Sequence, residues 1–341
     1  MAVKMIVRLT HLCSMLAGWT VLFLLFGSGE AVSSQTLAPD PSMWTISKEI
    51  LFTDTGEPRT PEIALLMARL EARSGEGSPV SRKEFLALLK KPESHIVYSN
   101  TVLRYATPAS ITTQNKEHTD LSKRLLSEQN QKICIDFLRT HRKYLSRAEK
   151  RFHVNQQDIV GILTWESGLG KYTGNYRIFN VFLGQIVYLD LAQEVAVTRI
   201  IEKGEPDPMA DSLVAAREQR RMTKRKADAI NSLVALLRTA KKMRFDPLSV
   251  LGSWGGASGY VQFMPYNIKY AIDADGNGLN LQTWPDAIYS VANFLKVQGK
   301  YKQTGDRRRQ AILAYNRDEE YAHGVIALAD TIWQQYHHAK K

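Results

Sequence analysis

Glu166 is the residue whose position most directly suggests chemistry. Three apolar side chains of the segment 155–170 fall at i, i+3 and i+4 of a helical repeat, and Glu166 follows at i+7 on the same face. They are Ile159, Ile162 and Leu163. Burial disfavours the charged form of a carboxyl group and raises its pKa, so the acid stays protonated near neutral pH. A protonated acid in such a place can donate a proton to a leaving group, which predicts a general acid.

The sequence also marks the ends of the helix that carries this residue. Asn155 with Asp158 predicts an N-cap, and Gly168 and Gly170 stop the helix just past the carboxyl group. Glu166 is therefore expected in the last turn, beside a loop. A glutamate paired with an arginine in an ordinary core, or a face rotated toward solvent, would show the same spacing, so both alternatives stay open.

A glycine-rich segment, 251–265, follows downstream. Glycine lets the backbone come close to a ligand, and hydroxyl, amide and aromatic groups are those that a sugar-binding groove uses. The glycines are Gly252, Gly255, Gly256 and Gly259, and the interspersed side chains are Ser253, Ser258, Tyr260 and Gln262. A linker or tight turn would produce much of the same pattern.

Oxygen-bearing side chains in the segment 273–278 resemble the start of an EF-hand. Asp273, Asp275 and Asn277 occupy positions 1, 3 and 5, with glycine at position 6. Trp284 stands where a glutamate usually closes the loop, and Asp286 could close a longer one. We expect a structural calcium site here, with a plain turn as the alternative. The absence of HExxH, paired CxxC and Walker-type sequences argues against zinc hydrolases and nucleotide-driven enzymes.

The start of the chain predicts export. Lys4 and Arg8 precede an apolar run at 12–26, and small residues lead to a cleavage site after Ala31. Residues 1–31 are therefore predicted to be a signal peptide, with a retained inner-membrane anchor as the alternative. Cleavage would leave Cys134 as the lone cysteine, so no internal disulfide is expected.

The chain is basic, with 45 Lys and Arg against 34 Asp and Glu and a net charge of +11. This balance favours an acidic partner, which for an exported protein is cell-wall polymer or an anionic membrane face rather than nucleic acid. A cluster of basic residues at 217–226 is predicted to be either a solvated helix face or a contact with such a polymer. Other cell-envelope proteins are further candidate partners.

Helical periodicity dominates the sequence. Thr60 with Pro61, and Ser81 with Glu84, mark two helix starts. Further helices are predicted at 120–152, 179–192, 231–244, 286–299 and 321–336. Few segments alternate as strands do, so the class is mainly α. Cys134 and His141 are predicted to be packing residues.

A set of motifs, in order, resembles the peptidoglycan lytic transglycosylases of the lytic murein transglycosylase B type. The matching segments are 166–170, 172–174, 252–257, Gly259, 262–265, 270–273, 275–278, 286–288, 290–295 and 314–316. The resemblance implies a goose-lysozyme-like catalytic core at 81–341, with its motifs within 155–316. Residues 32–80 are then an additional helical N-terminal extension of unknown role.

The resemblance also implies a reaction. Glu166 would be the sole acid/base for cleavage of the β-1,4 bond between N-acetylmuramic acid (MurNAc) and N-acetylglucosamine (GlcNAc) in periplasmic peptidoglycan, with a 1,6-anhydro-MurNAc product. Ser253, Gln262, Tyr315 and Asn316 match positions that hold the sugar and its acetamido group, and we add Tyr260 from the groove pattern. The partner is the glycan strand, and the reaction requires no cofactor.

Some positions depart from the family pattern. Ser258 stands where the family usually has Met, Tyr266 and Asn267 replace a serine pair, and Ser167 follows the catalytic position where Thr is frequent. Glycan contacts are therefore expected to differ. A hydrolytic muramidase and a non-catalytic cell-wall-binding scaffold are the alternatives. A binding groove alone would not need a carboxyl group on an apolar face, which argues against the scaffold.

Overall fold

The structure is a computed structural model that describes residues 40–107 and 124–338, which belong to one compact unit, Ala38–Lys341. The predicted signal peptide lies outside the described residues. The α-helices are α1 Lys48–Leu51, α2 Pro61–Glu71, α3 Arg82–Leu88, α4 Ser99–Ala106, α5 Glu128–Thr140, α6 Arg142–Phe152, α7 Gln156–Ser167, α8 Ile178–Glu202, α9 Ser212–Met243, α10 Trp284–Val297, α11 Asp306–Tyr315 and α12 Glu319–His338. Strands β1 Tyr176–Arg177 and β2 Leu251–Gly252 pair antiparallel. Short 3₁₀ helices cover Pro41–Met43, Pro92–Ser94 and Pro265–Tyr270.

The helix starts read from the sequence are confirmed. Thr60 Oγ1 accepts a hydrogen bond from the Ile63 backbone N–H at 3.3 Å. Ser81 and Glu84 form both halves of a capping box. These local bonds satisfy N–H groups that have no partner inside the helix, so the helices begin at these residues.

The prediction of a single helix at 120–152 is wrong over residues 124–152, the part of that range that the structure describes. The chain forms α5 and α6 there, and His141 lies between them with φ −101° and ψ 17°. The apolar repeat continues across the break, which is why periodicity did not reveal it. The His141 ring packs against Phe137 and Trp284, at centroid distances of 4.3 and 5.4 Å, as a packing residue.

Two other predicted helices are longer than expected. The segment 179–192 is the first part of α8, and 231–244 is the second part of α9, which also carries the basic cluster. Within the described ranges, α8 is the one helix long and apolar enough to cross a membrane by length and composition. Most of its apolar stretch is buried against the rest of the protein, as in a core helix.

Helix α7 lies at the centre of the core. The predicted stripe of Ile159, Ile162 and Leu163 is fully buried, and so is Val160 on another face. Helices α5, α6, α10 and α12 pack around it. Gly161 admits α12, because a Cβ there would lie 3.1 Å from the Val325 carbonyl oxygen. A helix enclosed in this way can present side chains to a ligand only at its ends.

The first turn of α7 is held by a buried ion pair rather than by the predicted capping interaction. Asn155 is the N-cap residue, but its side-chain amide donates to the Gln303 carbonyl at 3.1 Å. Asp158 is fully buried and accepts hydrogen bonds from Arg308 and Tyr301. Arg308 also pairs with Asp330 at 2.7 Å. Satisfying a buried carboxylate in this way fixes α7 against α11 and α12.

Two helical glycines offer a matched test of this packing. A Cβ on Gly324 of α12 would lie 2.3 Å from the Trp165 ring, whereas a Cβ on Gly184 of α8 would make ordinary contact with Val102 at 3.6 Å. We expect Gly324→Ala to lower the free energy of unfolding by about 1–3 kcal/mol through overpacking. Gly184→Ala should raise it by up to about 1 kcal/mol through helix propensity. Urea denaturation of both variants measures this, and equal effects would contradict the packing described.

Candidate active site

Glu166 occupies the last turn of α7, as predicted. Gly168 ends the helix in the left-handed conformation with φ 56°. Its N–H donates to the Thr164 carbonyl at 2.9 Å, and Leu169 N–H donates to the Leu163 carbonyl at 3.2 Å. Ser167 Oγ accepts from Gly170 N–H at 3.0 Å. The loop after the carboxyl group is therefore fixed by its own backbone bonds.

The carboxyl group of Glu166 interacts with two tyrosines, Tyr321 and Tyr315. The Tyr321 hydroxyl donates to Glu166 Oε1 at 2.6 Å, and Tyr321 is itself buried. Burial, and then the negative charge of Glu166, raise the pKa of both Tyr315 and Tyr321 well above the ordinary value. In the part of the chain that the structure describes, Glu166 forms no ion pair. The alternative prediction, a glutamate paired with an arginine in the core, is therefore wrong.

Two opposing effects set the acidity of Glu166. Burial raises its pKa to about 7, and the hydrogen bond from Tyr321, which favours the charged form, lowers it. Burial is the larger of the two. The group can therefore hold a proton near neutral pH and release it without a large cost.

The glycine-rich segment folds into close backbone turns beside the end of α7. Strand β2 pairs with β1, and bridges join Gly252 to Ser258 and Ser258 to Phe263. A Cβ on Gly174 would lie 2.2 Å from the Gly252 carbonyl oxygen. Only glycine permits this approach, which brings the loop after Glu166 against the 251–263 segment.

Three of the predicted groove residues form hydrogen bonds with the backbone, and the fourth is exposed. The Tyr315 hydroxyl donates to the Val261 carbonyl at 2.6 Å, which ties it to the residue before Gln262. Gln262 has a left-handed φ of 48°, and its amide donates to the Gly259 carbonyl at 2.7 Å. Ser253 Oγ accepts from Ala257 N–H at 3.2 Å. Asn316 is exposed at the end of α11.

Two further positions make packing or hydrogen-bond contacts within the protein. Tyr260 packs on Trp284 with a centroid distance of 4.1 Å, and both rings cover Gly170. Ser258 is buried, and its hydroxyl donates to the Phe263 carbonyl at 3.0 Å. The departure from the family pattern at Ser258 is thus satisfied internally.

Sequence reasoning missed Tyr321 as a site residue. It lies in the first turn of α12, where the Asp318 side chain accepts from Glu320 N–H and Tyr321 N–H at 2.8 and 3.3 Å. An aspartate before a helix start is a recognisable cap. That the following tyrosine reaches Glu166, 155 residues earlier, could not be read from a local pattern.

A stack of rings and guanidinium groups borders the segment after Ser253 and was also not predicted. The Arg104 guanidinium lies 4.1 Å from the Trp254 ring, and Tyr105 lies 5.1 Å from the same ring. The Arg225 guanidinium lies 4.7 Å from the Tyr105 ring. Through these contacts α4 packs against the glycine-rich segment. The sequence analysis predicted no helix at the position of α4.

The basic cluster of α9 is partly internal, which neither alternative anticipated. Arg221 donates to the Tyr105 and Ala106 carbonyls at 2.7 and 2.9 Å. Lys226 pairs with Glu62 and Asp190 at 2.7 and 2.8 Å. These cations hold α2, α4 and α8 to α9.

The acidic residues of the predicted metal site converge. Carboxylate oxygens of Asp273, Asp275 and Asp286 lie within 4.8 Å of one another. Burial, with the negative charges of Asp275 and Asp273, raises the pKa of Asp286, while hydrogen bonds from Ala274 and Asn280 N–H lower it. An oxygen donor set with unneutralised negative charge fits a hard cation such as calcium. Asn277 is exposed on the same loop.

The acidity of Glu166 can be tested without any activity assay. Because its folded pKa of about 7 exceeds the ordinary 4.5, its stabilising contribution is complete below pH 4.5 and is lost as pH rises through 7. Glu166→Gln does not titrate, so its free energy of unfolding relative to wild type should rise by about 1–3 kcal/mol between pH 5 and pH 8. Urea melts at both pH values measure the gap. Glu202→Gln, at an exposed site, is the control for the substitution itself. A constant gap for Glu166→Gln would contradict the raised pKa of Glu166.

The amino-acid sequence is similar to a known protein family and to one of its characterised relatives. The Transglycosylase SLT domain family matches residues 73–309. The membrane-bound lytic murein transglycosylase B of Escherichia coli strain K12 is 29% identical over 183 residues, which are 53% of this chain and 41% of that protein. The match therefore spans less than half of the relative's length.

Solved structures share the fold. The Escherichia coli lytic transglycosylase SLT35 in complex with calcium superposes with a TM-score of 0.58 at 18% identity, over 87% of this chain and 99% of that chain. Soluble lytic transglycosylase SltB1 from Pseudomonas aeruginosa gives 0.59 at 21% identity, over 81% and 99%. The predicted mainly α, lysozyme-like fold is confirmed. With its family match covering most of its length, the chain belongs to the transglycosylase SLT domain family, as a member of the lytic murein transglycosylase B type.

Proposed function

We propose that this protein is a lytic transglycosylase that cleaves the β-1,4 bond between MurNAc and GlcNAc, with Glu166 as its single acid/base. The observation that carries the proposal is the half-buried Glu166 carboxyl group, whose pKa desolvation raises to about 7 and which accepts a tyrosine hydroxyl on one oxygen. Among the described residues, no second carboxyl group perturbs it. Glycosidases that use water or a protein nucleophile normally need such a second group.

The proposed reaction uses one carboxyl group twice, first as an acid and then as a base. Neutral Glu166 donates its proton to the glycosidic oxygen, the bond to the muramyl anomeric carbon breaks, and GlcNAc departs with a free hydroxyl. The Glu166 carboxylate then takes the proton of the muramyl 6-hydroxyl as that oxygen bonds to the anomeric carbon. The product is a 1,6-anhydro ring, and Glu166 is neutral again.

Burial and Tyr321 serve opposite halves of this cycle. Burial favours the neutral acid that starts the reaction, and the Tyr321 hydroxyl stabilises the carboxylate formed halfway. A group whose two protonation states are close in free energy near neutral pH can act as acid and then as base.

The predicted groove residues would hold the substrate. Exposed Asn316 and partly exposed Gln262 offer amides for the acetamido group. Ser253 offers a hydroxyl, and Tyr315 lies close enough to Glu166 for the charge of that carboxylate to raise the pKa of Tyr315. Tyr260, packed on Trp284, offers the edge of an aromatic pair to a sugar ring. These assignments extend the family resemblance to individual side chains of this chain.

We further propose that the protein acts in the periplasm after export by residues 1–31. The name of the Escherichia coli relative, a membrane-bound enzyme, supports an envelope location and leaves an anchor as the alternative to cleavage. The division at residue 80 stays a prediction. Leu51 of α1 and Leu66 of α2, before that point, belong to the same apolar core as α7.

The product decides the reaction. We expect wild-type protein to release muropeptides with 1,6-anhydro ends, lighter by one water than hydrolysed ends and unchanged by borohydride. Mass analysis of material from purified sacculi, with and without reduction, makes the measurement. Reducible muramyl ends as the main product would replace the proposal by a hydrolytic muramidase.

Glu166→Gln should abolish this release, because the amide keeps the shape but cannot transfer the proton. A general acid/base contributes about 10²- to 10⁴-fold, and a lone one should lie at the upper end. The measurement is the rate of soluble muropeptide release at matched thermal stability. A near wild-type rate would exclude Glu166 as the catalyst.

We propose that Asp273, Asp275, Asn277 and Asp286 bind calcium as a structural ion. The calcium complex of the solved Escherichia coli lytic transglycosylase supports this proposal, as does the convergence of the carboxylates. The ion would neutralise the charge at the start of α10, which also carries Trp284 behind the groove. It takes no part in the reaction.

Thermal melts test the metal site. Millimolar calcium should raise Tm over chelator-treated protein by the equivalent of about 2–3 kcal/mol at 100 times Kd, and magnesium should do less. Asp275→Asn keeps the shape of an exposed ligand while removing its charge, so it should lose most of the shift. An equal shift in this variant would reduce the segment to a turn.

A further inference from the structure

A polar cavity adjoins the candidate active site on the side of Tyr315 and Asn316. Its volume is about 660 Å³, and those two residues line it together with Tyr266, Asn267, Gln298 and Arg317. The cavity is therefore continuous with residues proposed to hold the substrate, and yet the chemistry at Glu166 leaves it without a role.

Several polar side chains of the cavity wall already have partners within the protein. The Tyr270 hydroxyl donates to Gln298 Oε1 at 2.7 Å, and the Lys269 ammonium pairs with Glu76 at 2.7 Å. The ion pair with Glu76 neutralises Lys269, so this ammonium group is not a free charge for a ligand.

Arg317 differs from Arg308 and Arg309 of α11 in its lack of an ion-pair partner among the described residues. Arg308 pairs with Asp158 and Asp330, and Arg309 pairs with Glu319. Arg317 is exposed, and over residues 40–107 and 124–338 it takes part in no ion pair. A guanidinium group with five donors at a cavity wall can bind a carboxylate with two parallel hydrogen bonds.

Tyr266 supplies an apolar surface in the same cavity. It is 51% exposed, in the first turn of the 3₁₀ helix Pro265–Tyr270. A large aromatic side chain held this open on a fixed turn is suited to packing against the face of a sugar ring. With Asn267, it stands where the family pattern has a serine pair, so the surface belongs to this chain's own sequence.

We propose that this cavity is a subsite for the acid-bearing substituent of a muramyl residue, with Arg317 bound to its carboxylate and Tyr266 packed on the adjoining sugar. The inference rests on the proposed function, since it concerns the same glycan strand. The carboxylate has two sources, the lactyl group of a peptide-free muramyl residue and the stem peptide. Arg317 therefore sets a preference for muramyl-containing strands over neutral polymers of GlcNAc.

Binding to the non-cleaving Glu166→Gln protein tests the subsite. The ligands are chitooligosaccharide, which has no carboxylate, peptide-free glycan strands and peptide-bearing strands, each titrated by calorimetry. Adding Arg317→Ala should weaken binding of carboxylate-bearing strands by about tenfold and leave chitooligosaccharide unchanged. The matched control Arg307→Ala removes an exposed arginine of α11 that does not line the cavity, and it should change neither.

The Tyr266 contact has its own variants. Tyr266→Leu should weaken all three ligands by about threefold or more, whereas Tyr266→Phe, which keeps the ring, should not. Tyr266 and Arg317 are both exposed, so the Tm of each variant should equal that of the Glu166→Gln parent protein.

The outcomes separate the possibilities. An Arg317 effect that persists on peptide-free strands identifies the lactyl group, and one confined to peptide-bearing strands identifies the stem peptide. Equal effects of Arg317→Ala and Arg307→Ala would overturn the subsite, even while wild-type protein releases anhydro products. Failure of the wild type to cleave or bind any strand would overturn the proposed function and the subsite with it.

Discussion

The arrangement of the site depends on one constraint, which is that α7 is buried on nearly every face. Gly161 lets α12 approach one side of it, and Gly324 makes room on α12 for Trp165, the residue before the acid. Only the end of such a helix can meet a ligand. Helix α7 ends at Ser167, and Gly168 is its C-cap residue. Glu166 therefore lies in the last turn, at the end of the helix that a ligand can reach. The core thus fixes the place of the carboxyl group, and its desolvation follows from that place.

The identity of the partner residue matters as much as burial. An arginine next to Glu166 would favour the carboxylate, hold the pKa well below neutral and prevent the group from starting as an acid. Without any partner, burial alone would make the carboxylate costly once the proton had left. Tyr321 donates one neutral hydrogen bond, which stabilises the charged state without making it dominant. A tyrosine here is thus compatible with a group that must exist in both states.

Local signals in the sequence were sufficient for some of these features. The caps at Thr60 and Ser81, and the position of Glu166 before Gly168, depend on residues at most three apart in the sequence, and they were predicted correctly. The break at His141 was missed because the apolar repeat continues through it. Tyr321 was missed because its contact with Glu166 depends on how α12 packs on α7, which no short window contains.

The same distinction applies to charge. A net charge of +11 suggests a broad attraction for acidic polymers, but several of the cations are committed within the protein. Arg308 holds Asp158 in the core, and Lys226 joins α2 and α8 to α9. Recognition of an acidic ligand depends on cations that keep an accessible face, because a paired charge exerts little field outside its own ion pair. Arg104, stacked on Trp254 beside the groove, is exposed in this way. The composition therefore indicates the class of partner, whereas the position of the unpaired cations determines where on the surface that partner can bind.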